Sequence, residues 1–158
     1  MFYITIIFVG KVKESYWKEA EQDYLIRLQP YMNIETIEIK EVSFRSMDEK
    51  NEVSKKEAGL ILAQIPKDAH VYALDGAKGT KYDSVSFSKR LDECAREGEH
   101  HLTFIIGGSM GLHQLVIDRA NHLLSLSHMT FPHQLARVVF VEQLYRAATI
   151  LKGKQYHY

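Results

Sequence analysis

Two hydrophobic patterns alternate along this chain. Runs of aliphatic and β-branched residues predict strands over residues 2–9, 33–42, 70–75, 101–106 and 123–127. Apolar residues spaced three or four positions apart predict helices over residues 15–29, 46–65, 83–97, 112–120 and 132–152. Strands that alternate with helices favour an α/β fold in which a mostly parallel sheet is flanked by helices.

Local signals mark the ends of two helices. Residues 46–49 fit a capping box, in which a serine begins the helix and a glutamate follows three positions later. Pro66 ends that helix. Asp83 or Ser84 can cap the next one, and Gly98 suits its end.

The chain of 158 residues has no internal repeat or flexible linker, so we expect a single domain over residues 1–158. No apolar run approaches the ~18 residues of a membrane-spanning helix, and we interpret residues 1–9 as a strand rather than a signal peptide.

Cys94 lies on the apolar stripe of a helix, which predicts a core residue. A single cysteine forms no internal disulfide, which fits a cytoplasmic protein.

Charge is balanced overall but unevenly distributed. The 20 basic residues against 20 acidic residues argue against bulk electrostatic capture of nucleic acid. Residues 1–100 carry a net charge of −3, whereas residues 101–158 carry +3 and six of the eight histidines. The last third is therefore a candidate anion-binding region, although a difference of this size is also ordinary scatter.

The last predicted helix is apolar around most of its circumference. Such a helix must be buried on two sides. In a chain of this size the second cover is either another copy of the chain or the rest of the same core. We favour a homodimer formed through this helix.

Three predicted loops lie beyond the carboxyl ends of strands, where parallel sheets bind ligands. The first follows Asp75. The second, residues 107–111, reads Gly-Gly-Ser-Met-Gly, which suits close approach of a ligand or a tight strand-to-helix turn. The third, residues 127–133, contains a thioether and a phenyl ring. These groups suit an adenine and a sulfonium group. The alternative interpretation of this segment is a loop with one buried phenylalanine.

The chain ends on Tyr156, His157 and Tyr158. Aromatic rings stack on nucleobases, and histidine exchanges protons near neutral pH. The alternative is a frayed end. Zinc-binding HxxxH or HExxH spacings and the GxSxG motif of hydrolases are missing from the sequence, so neither chemistry is indicated.

Taken in order, these segments resemble the RlmH family, the SPOUT-class methyltransferases that modify a pseudouridine of large-subunit ribosomal RNA. The resemblance covers essentially the whole chain and is strongest over residues 124–146. It rests on the segments Ile-Phe-Val-Gly-Lys-Val-Lys at 7–13, Tyr-Ala-Leu-Asp at 72–75, Phe-Ile-Ile-Gly-Gly-Ser-Met-Gly-Leu at 104–112, Met-Thr-Phe-Pro-His at 129–133 and Glu-Gln-Leu-Tyr-Arg-Ala at 142–147. The resemblance implies methyl transfer from S-adenosylmethionine to N3 of the pseudouridine, a trefoil knot near the C-terminus and a homodimer.

Matching positions imply two groups of site residues. The cofactor contacts would come from the ends of three neighbouring strands: Leu74, Gly107, Leu126, Ser127, His128, Met129, Thr130 and Phe131. For catalysis, His157 would assist loss of the N3 proton, Arg146 would stabilise the developing charge, and Tyr156 would position the base. We interpret Arg137 and Glu142 as a structural pair near the dimer interface.

The resemblance also implies a partner, the 23S ribosomal RNA of the assembled ribosome or large subunit, and neither DNA nor membrane is indicated. Tyr158 stands where the family often has a basic residue, so RNA contacts would fall to Lys152, Lys154 or a partner subunit. Residues 76–81 are a further candidate for RNA contact. The alternatives are a non-catalytic ribosome-binding module and a different nucleotide-binding domain, flavodoxin-like for example, that binds FMN or NAD.

Overall fold

A computed structural model describes residues 1–154 and contains one six-stranded sheet of order β2-β1-β5-β3-β6-β4. The strands are β1 (Phe2–Val9), β2 (Met32–Ile39), β3 (His70–Leu74), β4 (Thr80–Lys81), β5 (His101–Ile106) and β6 (His122–Ser125). The helices are α1 (Ser15–Leu28), α2 (Lys50–Gln64), α3 (Ser84–Arg96), α4 (Gln114–Arg119) and α5 (His133–Leu151). All of these strands pair in parallel, which confirms the predicted fold class.

The helices cover both faces of the sheet. One core packs α1, α3 and α5 against β1 and β5, through residues such as Leu28, Leu91, Phe140 and Phe104. The other core packs α2 and α4 through residues such as Ile61 and Val116. Strand β1 supplies both cores because its side chains alternate between the faces, and all but one of its residues are buried. Strand β2 is an edge strand, as its alternating pattern predicts.

Helix α5 lies between α1 and α3 on the same face of the sheet. No residue of α5 is exposed, and Phe140, Val141 and Leu144 have no accessible surface. The two-sided burial that the sequence predicts is therefore supplied within one chain. The expected homodimer no longer follows from this feature and stays a prediction.

Strand β4, which no periodicity predicts, reveals how the chain crosses β6. Leu74 at the end of β3 and Thr80 at the start of β4 both pair with Leu124, one on each side. Residues 75–79 therefore span two strand spacings, about 10 Å, and pass over β6. Such an arc over the last strand is consistent with the expected trefoil knot, which itself stays a prediction.

Several predicted boundaries are wrong, among them the end of β2, at Ile39 rather than residue 42, and the start of α4, at Gln114 rather than residue 112. Helix α2 begins at Lys50 rather than Ser46, because Glu49 accepts a hydrogen bond from the backbone N–H of Arg45 (2.9 Å) and no side chain caps the helix. The last strand begins at His122 and ends at Ser125, earlier than predicted. The predicted cap at Asp83 is confirmed, since its side chain accepts from Ser86 N–H at 2.7 Å. Within residues 1–154, no helix has the length and apolarity to cross a membrane.

Candidate active site

The three predicted loops meet at one cavity of about 480 Å³ beyond the carboxyl ends of β3, β5 and β6. This volume is in the range of pockets that enclose small ligands and cofactors. The lining residues come from the ends of these strands, the loops that follow them and the first turn of α5: Leu74, Asp75, Gly76, Ile106, Gly107, Gly108, Ser109, Gly111, Leu124, Ser125, Leu126, Ser127, His128, Met129, Thr130, Phe131, Pro132, His133 and Ala136. All eight predicted cofactor-binding residues are among them.

Asp75 organises the first loop. Its Oδ1 accepts hydrogen bonds from the backbone N–H groups of Ala77 (2.9 Å) and Lys78 (2.8 Å), and its carbonyl accepts from Gly79 N–H (2.9 Å). Side-chain bonds of this kind to the next residues are typical of aspartate in tight turns. Since Asp75 N–H also donates to Leu124 (2.9 Å), the loop is held onto β6.

The glycine loop is fixed from a distance by Glu41, which follows β2. Ser109 Oγ donates to Glu41 Oε1 at 2.8 Å. A Cβ on Gly108 would lie 3.2 Å from the same oxygen, so only glycine gives that carboxylate this space. Gly111 has a φ of +75°, which other residues rarely adopt.

Gly107 has a role in the folding of the loop in addition to its predicted contact with the cofactor. A Cβ at this position would lie 3.1 Å from the Leu112 side chain and from the Gly111 backbone. Gly107 therefore permits the loop to fold back on itself, and it lines the cavity with backbone atoms.

The third loop is shaped by two serines. Ser125 Oγ lies 3.3 Å from the Gly76 carbonyl and 3.0 Å from the Ser127 carbonyl, so this hydroxyl joins the first loop to the third. Ser127 Oγ accepts from Met129 N–H at 2.9 Å. The Met129 side chain is 77% exposed, which places it at the mouth of the cavity rather than in its floor.

Of the predicted catalytic residues, the structure describes Arg146, which lies away from the cavity in this chain. Arg146 lies on α5 about 15 Å along the axis from Ala136, the last lining residue. Its Nε (3.1 Å) and Nη2 (2.5 Å) donate to Glu142 Oε1. Tyr156 and His157 lie outside the described residues, as does Tyr158.

The predicted pairing of Arg137 with Glu142 is wrong. Arg137 Nε and Nη2 each donate to Glu21 at 2.7 Å, Nη2 also donates to Glu38 at 2.9 Å, and Nη1 donates to the Gly10 carbonyl at 3.1 Å. The residue is 3% exposed. Arg137 thus joins the start of α5 to α1, to β2 and to the residue that follows β1. These partners are far apart in sequence and meet only in the folded chain.

The sequence alone misses several lining or supporting residues. Glu21 is the clearest, because a carboxylate on the apolar stripe of α1 signals a buried partner. Ser109 and His133 occur within quoted motifs, yet only the structure places them on the cavity wall. Glu41 carries no local signal, since it acts across 68 residues on Ser109.

The described lining residues of the cavity combine apolar groups with hydrogen-bonding groups. Leucine, isoleucine and phenylalanine side chains offer apolar contact, while the loop backbones and four hydroxyl side chains offer hydrogen bonds. None of the described lining residues is a lysine or arginine. These groups fit the adenosine and amino-acid parts of S-adenosylmethionine, and no lysine or arginine among them is placed to pair with the phosphates of FMN or NAD. Residues 1–154 contain no group of three or more histidine, cysteine or acidic side chains placed to hold a metal ion.

Comparisons with known proteins agree with this geometry. Residues 2–157 match a family model described as predicted SPOUT methyltransferase. Ribosomal RNA large subunit methyltransferase H 1 of Clostridium perfringens strain SM101 is 46% identical over 157 residues, which are 98% of each chain. The corresponding protein of C. perfringens strain 13 matches equally well.

Two solved structures share the fold. A probable methylase family protein from Haemophilus influenzae Rd KW20 has a TM-score of 0.56 at 10% identity, covering 98% of this chain and 70% of its own. A putative methylase family protein from Neisseria gonorrhoeae has a TM-score of 0.53 at 14% identity, covering 91% and 82%. The chain therefore belongs to the SPOUT methyltransferases, within the RlmH family of ribosomal RNA large subunit methyltransferases.

Proposed function

We propose that this protein transfers the methyl group of S-adenosylmethionine to N3 of a pseudouridine in the 23S ribosomal RNA of the large subunit. The observation that carries the proposal is the convergence of three strand-end loops on one cavity whose described lining residues include no lysine or arginine. The names of the relatives, which are 46% identical over nearly the whole chain, specify ribosomal RNA of the large subunit. A ribosomal substrate places the enzyme in the cytoplasm.

The cavity residues act by holding and orienting the cofactor. Backbone groups at Leu74, Gly107 and residues 126–131 would hold its adenosine part. When bound, S-adenosylmethionine supplies an activated methyl group, so the protein needs neither a covalent nucleophile nor a metal ion. The contribution of the chain is to keep the acceptor in line with that group and to keep competing nucleophiles out.

The acceptor nitrogen must lose a proton, and the residues proposed for this step are His157, Arg146 and Tyr156. His157 would accept the proton, Arg146 would stabilise negative charge on the base, and Tyr156 would stack on it. In one chain Arg146 lies far along α5 from the cavity. A nucleobase is too small to span this distance, so the proposed role of Arg146 requires a second protomer, which is one reason to propose a homodimer.

The decisive experiment is transfer of labelled methyl to ribosomes from cells that lack this protein, followed by mapping of the modified nucleotide. We expect one methyl group per large subunit at a pseudouridine, with weak activity on naked RNA fragments. No transfer together with tight ribosome binding would identify a non-catalytic module. Calorimetry that detects FMN but not S-adenosylmethionine would overturn the assignment of the cavity.

Deletion of residues 156–158 tests the proposed catalytic tail. Binding of S-adenosylmethionine should be unchanged, because none of these residues is among those proposed to hold the cofactor. Methyl transfer should fall by two orders of magnitude or more, about the contribution of a positioned acid or base. Normal transfer by the truncated protein would exclude a catalytic role for Tyr156 and His157.

A further inference from the structure

Within the described residues, most cations of the basic last third of the chain are engaged by other protein groups. There, Arg137 is buried against two glutamates and Arg146 pairs with Glu142. Arg119 donates to the Ala69 carbonyl and Lys154 to the Tyr31 hydroxyl. These contacts occupy most of the cations that give residues 101–158 their positive charge.

Four lysines instead lie on loops from the first half of the chain, at the edge of the sheet where the cavity opens. Lys11 and Lys13 follow β1, Lys40 follows β2 and Lys78 follows β3. All four are exposed, and within the described residues none forms a side-chain ion pair. Because every strand is parallel, these loops share the edge of the sheet at which the cavity opens. We call these four residues the lysine rim.

Backbone hydrogen bonds hold Lys13 and Lys78 near the cavity wall, and Lys40 is next to a residue that bonds the glycine loop. Lys13 N–H donates to Gln134 Oε1 (2.8 Å), next to the lining residue His133. Lys78 N–H donates to Asp75 Oδ1 (2.8 Å). Lys40 precedes Glu41, the acceptor for Ser109. The positions of these lysines relative to the cavity are therefore set by the fold.

The acidic groups in these loops are largely occupied by protein donors. Glu41 accepts from Ser109 Oγ, and Asp75 accepts from two backbone N–H groups. Glu14, just before α1, and Asp48, just before α2, are exposed without such a donor within the described residues. Four exposed lysines thus face solvent with two carboxylates that have no protein donor, an arrangement that complements a polyanion.

An exposed aromatic residue beside the lysines favours RNA over an acidic protein as the polyanion. Tyr16 lies three residues after Lys13 and is 58% exposed, with its ring 5.0 Å from that of Trp17 in an edge-on arrangement. A phenol ring held in this way offers a face on which an unpaired base can stack. Cations beside an exposed aromatic ring are the common features of single-stranded RNA recognition.

We propose that the lysine rim and Tyr16 form the surface that docks ribosomal RNA, with Lys11, Lys13, Lys40 and Lys78 on phosphates and Tyr16 on an unpaired base. This inference rests on the proposed function for the identity of the RNA. The overall charge of zero then conceals a local cationic rim around the site where the acceptor must enter.

The test compares two quadruple variants of the full chain by filter binding to purified large subunits at several salt concentrations. One carries Lys11→Gln, Lys13→Gln, Lys40→Gln and Lys78→Gln. The control carries Lys55→Gln, Lys56→Gln, Lys67→Gln and Lys89→Gln, which removes four exposed lysines from α2, α3 and the opposite edge of the sheet. Calorimetry with S-adenosylmethionine verifies that each variant keeps its cavity.

We expect the rim variant to bind subunits at least tenfold more weakly and to lose about 3 from the slope of log affinity against log salt, while the control matches the parent protein. Tyr16→Ala should weaken binding about fivefold with an unchanged slope. Equal losses in both quadruple variants would overturn the proposal. A parent protein that binds subunits through the rim but transfers no methyl would refute the proposed function and leave this surface standing.

Discussion

Gly79 lies directly against the backbone of Ser125, where the loop after β3 crosses β6. A Cβ on Gly79 would be 2.5 Å from the Ser125 nitrogen and 2.5 Å from the Asp75 carbonyl oxygen. Both contacts are with backbone, which cannot rotate away as a side chain can. The crossing that positions two of the three cavity loops therefore depends on a residue without a side chain.

Gly79→Ala tests this crossing. The added methyl group must push the loop away from β6, and overpacking of this kind costs about 1–3 kcal/mol of unfolding free energy. Thermal denaturation should show the loss, and calorimetry should show weaker binding of S-adenosylmethionine, because Asp75 and Gly76 line the cavity. Gly76→Ala is the matched control, since a Cβ there meets nothing within 4 Å. Equal stability of the two variants would contradict the close crossing.

The space beside Gly107 leads to a prediction for a double variant. Gly107→Ala places a methyl group 3.1 Å from Leu112, so the glycine loop must shift and cofactor binding should weaken several-fold. Leu112→Ala removes the obstructing side chain, and the combined variant should therefore bind S-adenosylmethionine better than Gly107→Ala alone. Calorimetry on the parent and three variants measures this coupling. Additive effects would show that the methyl group acts on the cofactor itself.

Much of the fold is predictable because its signals are local. The apolar run of β1, the cap at Asp83 and the periodicity of α5 each reflect interactions within a few residues. The sheet rule then brings three loops to one edge, and all eight predicted cofactor-binding residues line the cavity. Strand β4 has two residues and no periodicity, so only its pairing with β6 defines it.

Long-range partners are what the sequence does not reveal. Arg137 and Glu142 are close in sequence, yet Arg137 bonds Glu21, 116 residues away, and Glu142 bonds Arg146 one turn on. A helix places residues four apart on one face, so the second pairing follows a local rule, whereas the first depends on how α1 packs on α5.

A pH dependence follows from His70 at the start of β3. Burial lowers its pKa, with His122 and Arg90 acting in the same direction, while Glu99 at 2.8 Å opposes them. Protonation of His70 thus favours the unfolded chain, in which the pKa of histidine is about 6.5. Stability should be full above that pH and fall as the pH drops towards the lower folded pKa.

Urea denaturation at about pH 7.5 and about pH 5.5 measures the effect of His70, with His70→Asn as the test and His101→Asn, at an exposed position, as the control. The stability advantage of the parent over His70→Asn should shrink at the lower pH, because only the parent loses the contribution of the neutral imidazole. The advantage over His101→Asn should change less. An advantage over His70→Asn that grows towards acid would mean that Glu99 outweighs burial.

The guanidinium of Arg137 is the shared partner of two carboxylates, those of Glu21 and Glu38. Arg137→Met leaves Glu21, whose side chain is 10% exposed, as a buried charge without its cation, and removes the bond to the Gly10 carbonyl. Loss of one partner of a buried pair costs about 3–5 kcal/mol. Urea denaturation should show that loss, whereas Arg96→Met should cost less than about 1 kcal/mol, since the Arg96 side chain is 78% exposed.

Adding Glu21→Met to Arg137→Met should recover most of the stability, because the buried charge is then removed together with its partner. If the double variant is no more stable than Arg137→Met, the loss comes from the packing of Arg137 on Phe8, 3.9 Å from its ring centre, and not from the unpaired carboxylate.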